Sequence, residues 1–233
     1  MSLRLHHAFV CTSGGAPEAE GLVDAGLIEG SSNTHPGQGT ANRRFFFESG
    51  MLELLWVHDE REAQSPLTAP ARLWDRWVGR GRAANPFGLC FSSSEGVDSP
   101  LPFPTWAFRP AYLSGERCFL FADNLPLSEP EVFVLSWPQV QSSPATEPTR
   151  HPLGLFEMRS VSVGLTDPMS ISGCLRAIRD AGLVEVHHSA APELVIEFVS
   201  QKEVRRGIPS LGLSLVGRQA TPHSRRPGTQ LDR

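Results

Sequence analysis

The alternation of apolar and polar positions predicts mainly short strands. "LRLHHAFVC", residues 3–11, alternates loosely and carries Phe and Val, which suits a strand. "TSGGAPEAEGLVDAGL" reads as a helix. Small polar residues precede it, Pro17 and Glu18 stand in its first turn, and Gly26 closes it. "IEGSS" is a short strand candidate and "NTHPGQGTAN" a loop rich in Gly, Pro and Asn. "RRFFFE" and "MLELLWV" are strands joined by a hairpin turn at Ser49-Gly50. The order over residues 3–59 is β-α-β-β-β.

Residues 151–218 give the same order. "FEMRSVSVGL" is a strand, and "DPMSISGCLRAIRDAGL" a helix with Asp167 as N-cap and Pro168 at its first position. "VEVHHS", "ELVIEFVS" and "LGLSLVGR" are strands. A six-residue echo joins the two units: Asp24-Ala25-Gly26-Leu27-Ile28-Glu29 against Asp180-Ala181-Gly182-Leu183-Val184-Glu185. Between them, "PARLWDRWVG" reads as a helix, followed by strands in "FGLCFSS", "TWAFRPAYL", "RCFLFAD" and "EVFVLSWPQV". This middle either extends the same sheet or is a unit that has lost its helix. The predicted organisation is a first βαβββ unit over 1–66, a β-rich middle and linker over 67–150, a second βαβββ unit over 151–218, and a disordered tail over 219–233. The fold class is α+β, with repeated βαβββ units in a curved mixed sheet.

Composition narrows the partners. The 233 residues carry a net charge of −4, so no basic footprint points to nucleic acid. Four cysteines lie far apart without a CxxC pair; they read as buried thiols in a reducing compartment. The N-terminal stretch lacks the apolar run of a signal peptide, and no segment approaches the roughly 20 apolar residues of a membrane span. The expected location is the cytoplasm. The 20 prolines and 21 glycines favour short strands over long helices.

Glu53 stands out, a carboxylate between Leu52 and Leu54 in an apolar strand. A tight turn at Ser49-Gly50 pairs Phe46 with Glu53 and sets Arg44 diagonally beside it. Glu53 is then a salt-bridged surface group or a site residue, and the two readings are compatible. His7 follows His6 in a strand, where neighbours point to opposite faces, so only one can face a given pocket. His7 and Glu53 together suit Zn, Mn, Fe or Ni, or form a base and its orienter. The loop from His35 to Asn42 is a plain surface loop or a ligand rim. In the second case Arg43 or Arg44 could clamp an anionic group. Arg109, set among aromatics, is a further anion candidate. His187 and His188 diverge as strand neighbours. No Gly-x-Ser-x-Gly or phosphate-cradling motif occurs.

The repeated β-α-β-β-β order, His7 in strand one and Glu53 in strand four resemble the vicinal oxygen chelate superfamily, and within it the glyoxalase-like group. "HPGQGTANRRFFFESGMLELLWV" resembles that group's glycine-rich loop, Gly-Thr-x-Asn stretch and Leu-Glu-Leu strand. "HPLGLFEMRSVSVGLTDP" resembles the restart of a later repeat. The resemblance implies a cup-like sheet with helices outside and a divalent metal at its base, held in part by His7 and Glu53. The second half-site departs from the pattern. Its strand-one counterpart lies within residues 159–163, which offer no strong ligand, and the last strand has no carboxylate. About three protein ligands are needed, so the metal site is incomplete, with His35 and Glu197 in reserve. The resemblance implies a small-molecule lyase, isomerase or ring-cleaving dioxygenase acting on neighbouring oxygens. Its alternative is a non-catalytic binding protein of the bleomycin-resistance type. Either would take a small-molecule ligand, without nucleic acid or membrane, and a homodimer is allowed.

Overall fold

Two β-sheets, packed through one apolar core, carry the fold. The structure, a computed structural model, describes residues 2–139 and 144–219. The expected tail beyond Gln219 and part of the predicted linker lie outside the described residues. The large sheet holds β1 (Arg4–Cys11), β2 (Asn33–His35), β3 (Thr40–Phe46), β4 (Met51–Val57), β5 (Phe87–Ser92), β6 (Thr105–Phe108), β7 (Phe119–Ala122) and β8 (Glu131–Leu135). Their spatial order is β2-β3-β4-β1-β5-β8-β7-β6, a curled, cup-like mixed sheet. α1 (Ala19–Asp24) connects β1 to β2.

Alternation assigns the two faces of this sheet. Ala8, Val10, Phe45, Leu52, Leu54, Leu89, Val132 and Val134 point to the convex side and join α1 in the main core. His7, Phe9 and Cys11, with Leu55, Cys90, Phe121 and Phe133, belong to the concave side. The predicted "IEGSS" strand is absent; β2 forms inside the segment read as a loop. Its three residues pair with residues 40–42 of β3 through a turn that needs Gly39. There φ is +74°, and a Cβ would stand 2.3 Å from the Asp59 carbonyl oxygen. The β3–β4 register also differs from expectation. Phe46 pairs with Met51, so Arg44 lies directly opposite Glu53 rather than diagonally. The turn spans four residues, because Phe47 N–H bonds to the Gly50 carbonyl.

The middle of the chain completes the large sheet. β5 runs antiparallel to β1, β8 runs parallel to β5, and β7 and β6 follow antiparallel. This mirrors β1, β4, β3 and β2, without a helix after β5. Before β5 the chain forms α2 (Glu60–Ala63) and α3 (Leu73–Gly79). Ala71 and Leu73 pack on the concave-face cluster, so this segment bends over the cup. Arg76 anchors it. That side chain is 1% exposed, donates to the Asn85 and Glu129 carbonyls, and meets Glu131 at 3.2 Å. Burial pushes the Glu131 carboxyl up and Arg76 opposes the shift.

The second sheet holds β9 (Leu155–Leu165), β10 (Glu185–His188), β11 (Glu193–Ser200), β12 (Val204–Ile208) and β13 (Leu213–Gln219), in the order β10-β9-β11-β13-β12. It repeats the central five strands of the large sheet pairing for pairing. β10–β9 is parallel as β4–β1 is, β9–β11 antiparallel as β1–β5, β11–β13 parallel as β5–β8, and β13–β12 antiparallel as β8–β7. Even a bulge recurs. β1 carries an extra residue, His6, between the pairs Leu5–Phe91 and His7–Cys90; β9 carries Arg159 between Met158–Phe198 and Ser160–Glu197.

α4 (Gly173–Asp180) starts later than predicted. Ser172 is the N-cap, its hydroxyl accepting from Leu175 N–H, while Asp167 accepts from Met169 and Ser170 in the preceding turn. The six-residue echo is a shared helix stop. Gly26 (φ +98°) and Gly182 (φ +71°) bond to Val23 and Arg179, and the leucine after each reaches back to Leu22 and Ile178. Glu129 ties the sheets together: its two carboxylate oxygens take the Ser172 N–H and O–H, both at 2.6 Å. His151 does the same elsewhere, accepting from Ile28 N–H and bonding to the Phe46 carbonyl.

Arg76→Ala leaves Glu131 buried without its partner and is expected to destabilise the fold by about 3–5 kcal/mol in urea unfolding. The double variant Arg76→Met with Glu131→Leu should recover most of that loss. An equal loss in both would show that packing, not charge pairing, holds α3 down.

Candidate active site

The concave face holds a cavity of about 90 Å³, lined by His7, Phe9, Glu53 and Leu55 from the sheet, His35 from the end of β2, Gln38 from the turn after it, Leu73 from α3, Tyr112 from the β6–β7 connection, and Phe119, Phe121 and Phe133. It is small and largely apolar, with polar groups converging from two sides. A larger hollow of about 440 Å³, lined by Glu18 and Arg80 among others, lies away from these groups. Chemistry points to the smaller one, where buried titratable groups meet.

Glu53 is 9% exposed. Asn42 Nδ2 donates to its Oε1 at 3.0 Å, and Asn42 Oδ1 in turn accepts from Asn33 N–H at 2.8 Å. That second bond fixes which way the amide points, so β2 indirectly orients the carboxylate. Burial pushes the Glu53 carboxyl up to about 7, against the pull of Arg44 and the Asn42 hydrogen bond. His7 Nε2 stands 3.9 Å from Glu53 Oε2. The His7 pKa is held well below its usual value, first by burial and then by His6, His35 and Arg44, so the ring is neutral. Burial likewise lowers His35 to about 4. A short polar chain lines the far wall: Tyr112 O–H donates to Gln38 Oε1 at 2.7 Å, Gln38 Nε2 to Thr40 Oγ1 at 2.9 Å, and His35 Nδ1 meets the same hydroxyl at 2.9 Å.

The structure gathers some predicted residues and disperses others. His7, Glu53 and His35 line one cavity, and Asn42 supports it from behind. Arg44 sits on the same side of the sheet, but its guanidinium is committed to the Ser31 carbonyl and hydroxyl. Arg43 points the other way and binds Glu29, Glu20 and the Ala16 carbonyl, so it clamps α1 rather than a ligand. Arg109 is exposed and outside the lining. Glu197, the reserve ligand, lies in the second sheet, bonded to Ser160 and Arg218.

Sequence reasoning missed four participants. Tyr112 and Gln38 carry no motif; only the folded loops bring them in. Cys90 pairs across from His7. His6 was assigned to the opposite face, and the bulge overturns that alternation: His6 Nδ1 and His7 Nδ1 stand 2.7 Å apart. Among the described residues, His6, His7 and Cys90 are a cluster of donors close enough for a metal ion, their ligand atoms within 4.8 Å of one another. The pair His7 and Glu53 does not by itself make a metal site, because the concave position on β8 beside Cys90 is Phe133, and Glu131 is taken by Arg76.

The raised Glu53 pKa fixes a sign. The folded state holds this proton more tightly than an ordinary carboxyl at 4.5 would, so the stability it contributes is complete below about pH 4.5 and lost as pH rises through about 7. Glu53→Gln keeps the Asn42 bond and removes the charge. Relative to wild type, it should gain on the order of 3 kcal/mol in urea unfolding between pH 4 and pH 8. A pH-independent difference would refute a proton-holding Glu53.

No family model matches this chain. No curated protein matches it. Among solved structures it is similar to one described as a hypothetical protein from Staphylococcus aureus. That match has a TM-score of 0.50 and 10% identity, covering 94% of this chain and 100% of the other. At that identity the likeness concerns the fold alone.

Proposed function

We propose that this protein is a glyoxalase-like enzyme of the vicinal oxygen chelate superfamily, acting on a small molecule with neighbouring oxygens in the cup of the large sheet. One observation carries the reading: His7 from β1 and Glu53 from β4 converge on a single cavity. The paired arrangement of β1–β4 and β5–β8 around that cavity supports it.

The chemistry follows from the groups present. A hydroxy-ketone bound in the cavity would set its carbon-bound hydrogen against Glu53, which takes the proton. The electron pair left behind moves onto the carbonyl oxygen as an enediolate. His7 is neutral, and its Nε2 faces the gap toward Glu53, where an N–H can donate to that oxygen. Gln38 and Tyr112 offer polar contacts to the second oxygen from the opposite wall. Return of the proton from Glu53 to the neighbouring carbon, with the hydroxyl proton passing to the former carbonyl oxygen, completes an isomerisation with no net change in atoms or charge. A pKa near 7 serves both halves of that transfer. The cavity admits a ligand of only a few heavy atoms, so the substrate is small.

The apolar wall of Phe9, Phe119, Phe121 and Phe133 favours a second reading, sequestration of a small ligand without turnover. Deuterium exchange separates the two. Hydroxyacetone and related 2-hydroxy ketones, incubated with protein in heavy water, should lose their α-hydrogen signal by NMR. Glu53→Gln should slow exchange by at least ~100-fold, the scale of a positioned general base. Ligand binding without exchange in wild-type protein would favour the sequestering reading.

A further inference from the structure

We propose that His6, His7 and Cys90 form a binding site for a thiolate-preferring divalent cation of the zinc class, created by the bulge in β1. Regular alternation would send the two rings to opposite faces. The extra residue at His6 turns both to one side, with their Nδ1 atoms 2.7 Å apart and their rings edge to face. β5 then supplies Cys90 directly opposite His7.

The spacing suits a cation. Zinc takes nitrogen at about 2.0–2.1 Å and sulfur at about 2.3 Å in tetrahedral array, which separates donors by roughly 3.3–3.6 Å. Three donors within 4.8 Å of one another reach that geometry through side-chain rotation, with the two imidazole nitrogens opening slightly. The other side of the His7 ring fits as well. With Nδ1 on the cation, Nε2 carries the proton, and Nε2 faces Glu53 Oε2 at 3.9 Å. At 3.9 Å the two do not hydrogen-bond; a small rotation of either side chain would give the carboxylate-backed ligating histidine that recurs in metal sites, where the carboxylate fixes the tautomer and strengthens the ligand. Two imidazoles and a thiolate select zinc, cobalt or nickel over magnesium or manganese. Cys90 has only a weak competing partner, the Phe91 carbonyl at 3.7 Å. The site shares His7 with the proton-transfer pair but does not rest on it; exchange by metal-free protein would leave either proposal standing alone.

Untagged protein, stripped with chelator and dialysed, is titrated with cobalt(II) at neutral pH and followed by absorption. One equivalent should give a near-ultraviolet thiolate-to-cobalt band and intense visible bands of a tetrahedral ion, displaced by zinc. Cys90→Ser should abolish the thiolate band, and His6→Gln should weaken binding. Glu53→Gln should keep the band while losing about 10–100-fold in affinity, the effect of removing a carboxylate behind a ligating histidine. Circular dichroism reports whether each variant folds. Absence of a thiolate band in wild-type protein overturns the proposal, whatever the variants do. So does cobalt binding that survives Cys90→Ser and disappears in Glu53→Gln, which would place the cation between His7 and Glu53.

Discussion

The register of β1 is the constraint on which the rest depends. This strand is paired on both edges and buried on both faces, so its alternation serves two environments at once. Ala8 and Val10 complete the core between the sheets, while His7, Phe9 and Cys11 floor the cup. A slip by one residue would exchange these sets, placing imidazole in the main core and small aliphatics in the cup. The many fully buried partners of Ala8 and Val10, at about 1.5–3 kcal/mol for each large apolar side chain, hold that register. The bulge at His6 is the single place where it yields, and it yields beside the candidate chemistry.

Buried polar groups divide into two kinds. Arg76 with Glu131, Glu129 with Ser172, and His151 between Ile28 and Phe46 join elements that share no strand pairing. Each can be read as a tie. Glu53 differs, because its Oε2 faces a gap rather than a partner at hydrogen-bond distance. A carboxylate kept at the edge of ionisation beside a hollow is costly to fold, and that cost is what singles it out as a candidate site residue.

The second sheet shows what the same pairing scheme looks like without such a site. At the bulge-matched positions it carries Ser160 in place of His7, Glu185 in place of Glu53 and Glu197 in place of Cys90. Glu197 is neutralised by Arg218, and the sheet has lost the outer strands that would wall a cup. Its apolar face covers the convex side of the large sheet instead. The repeated scheme therefore supports two different jobs, a cup in one copy and a buttress in the other.

The sequence by itself determined β1, α1, β3 and β4 within residues 4–57, the helix stop at Gly26, and the tension of a carboxylate within "LEL"; the second strand it placed at "IEGSS" formed instead at Asn33–His35. These are local matters of period two, left-handed backbone and flanking residues. It also singled out His7 and Glu53, whose types are out of place in apolar strands. Only the tertiary structure decided the rest. Pairing register moved Arg44 opposite Glu53, yet the guanidinium turned to Ser31, a choice no spacing encodes. A bulge overrode alternation at His6, and strand pairing 83 residues apart in sequence brought Cys90 against His7. Loop packing delivered Gln38 and Tyr112 to the same hollow. Long-range pairing and loop closure follow from the energy of the whole core, so no window of the sequence could have shown them.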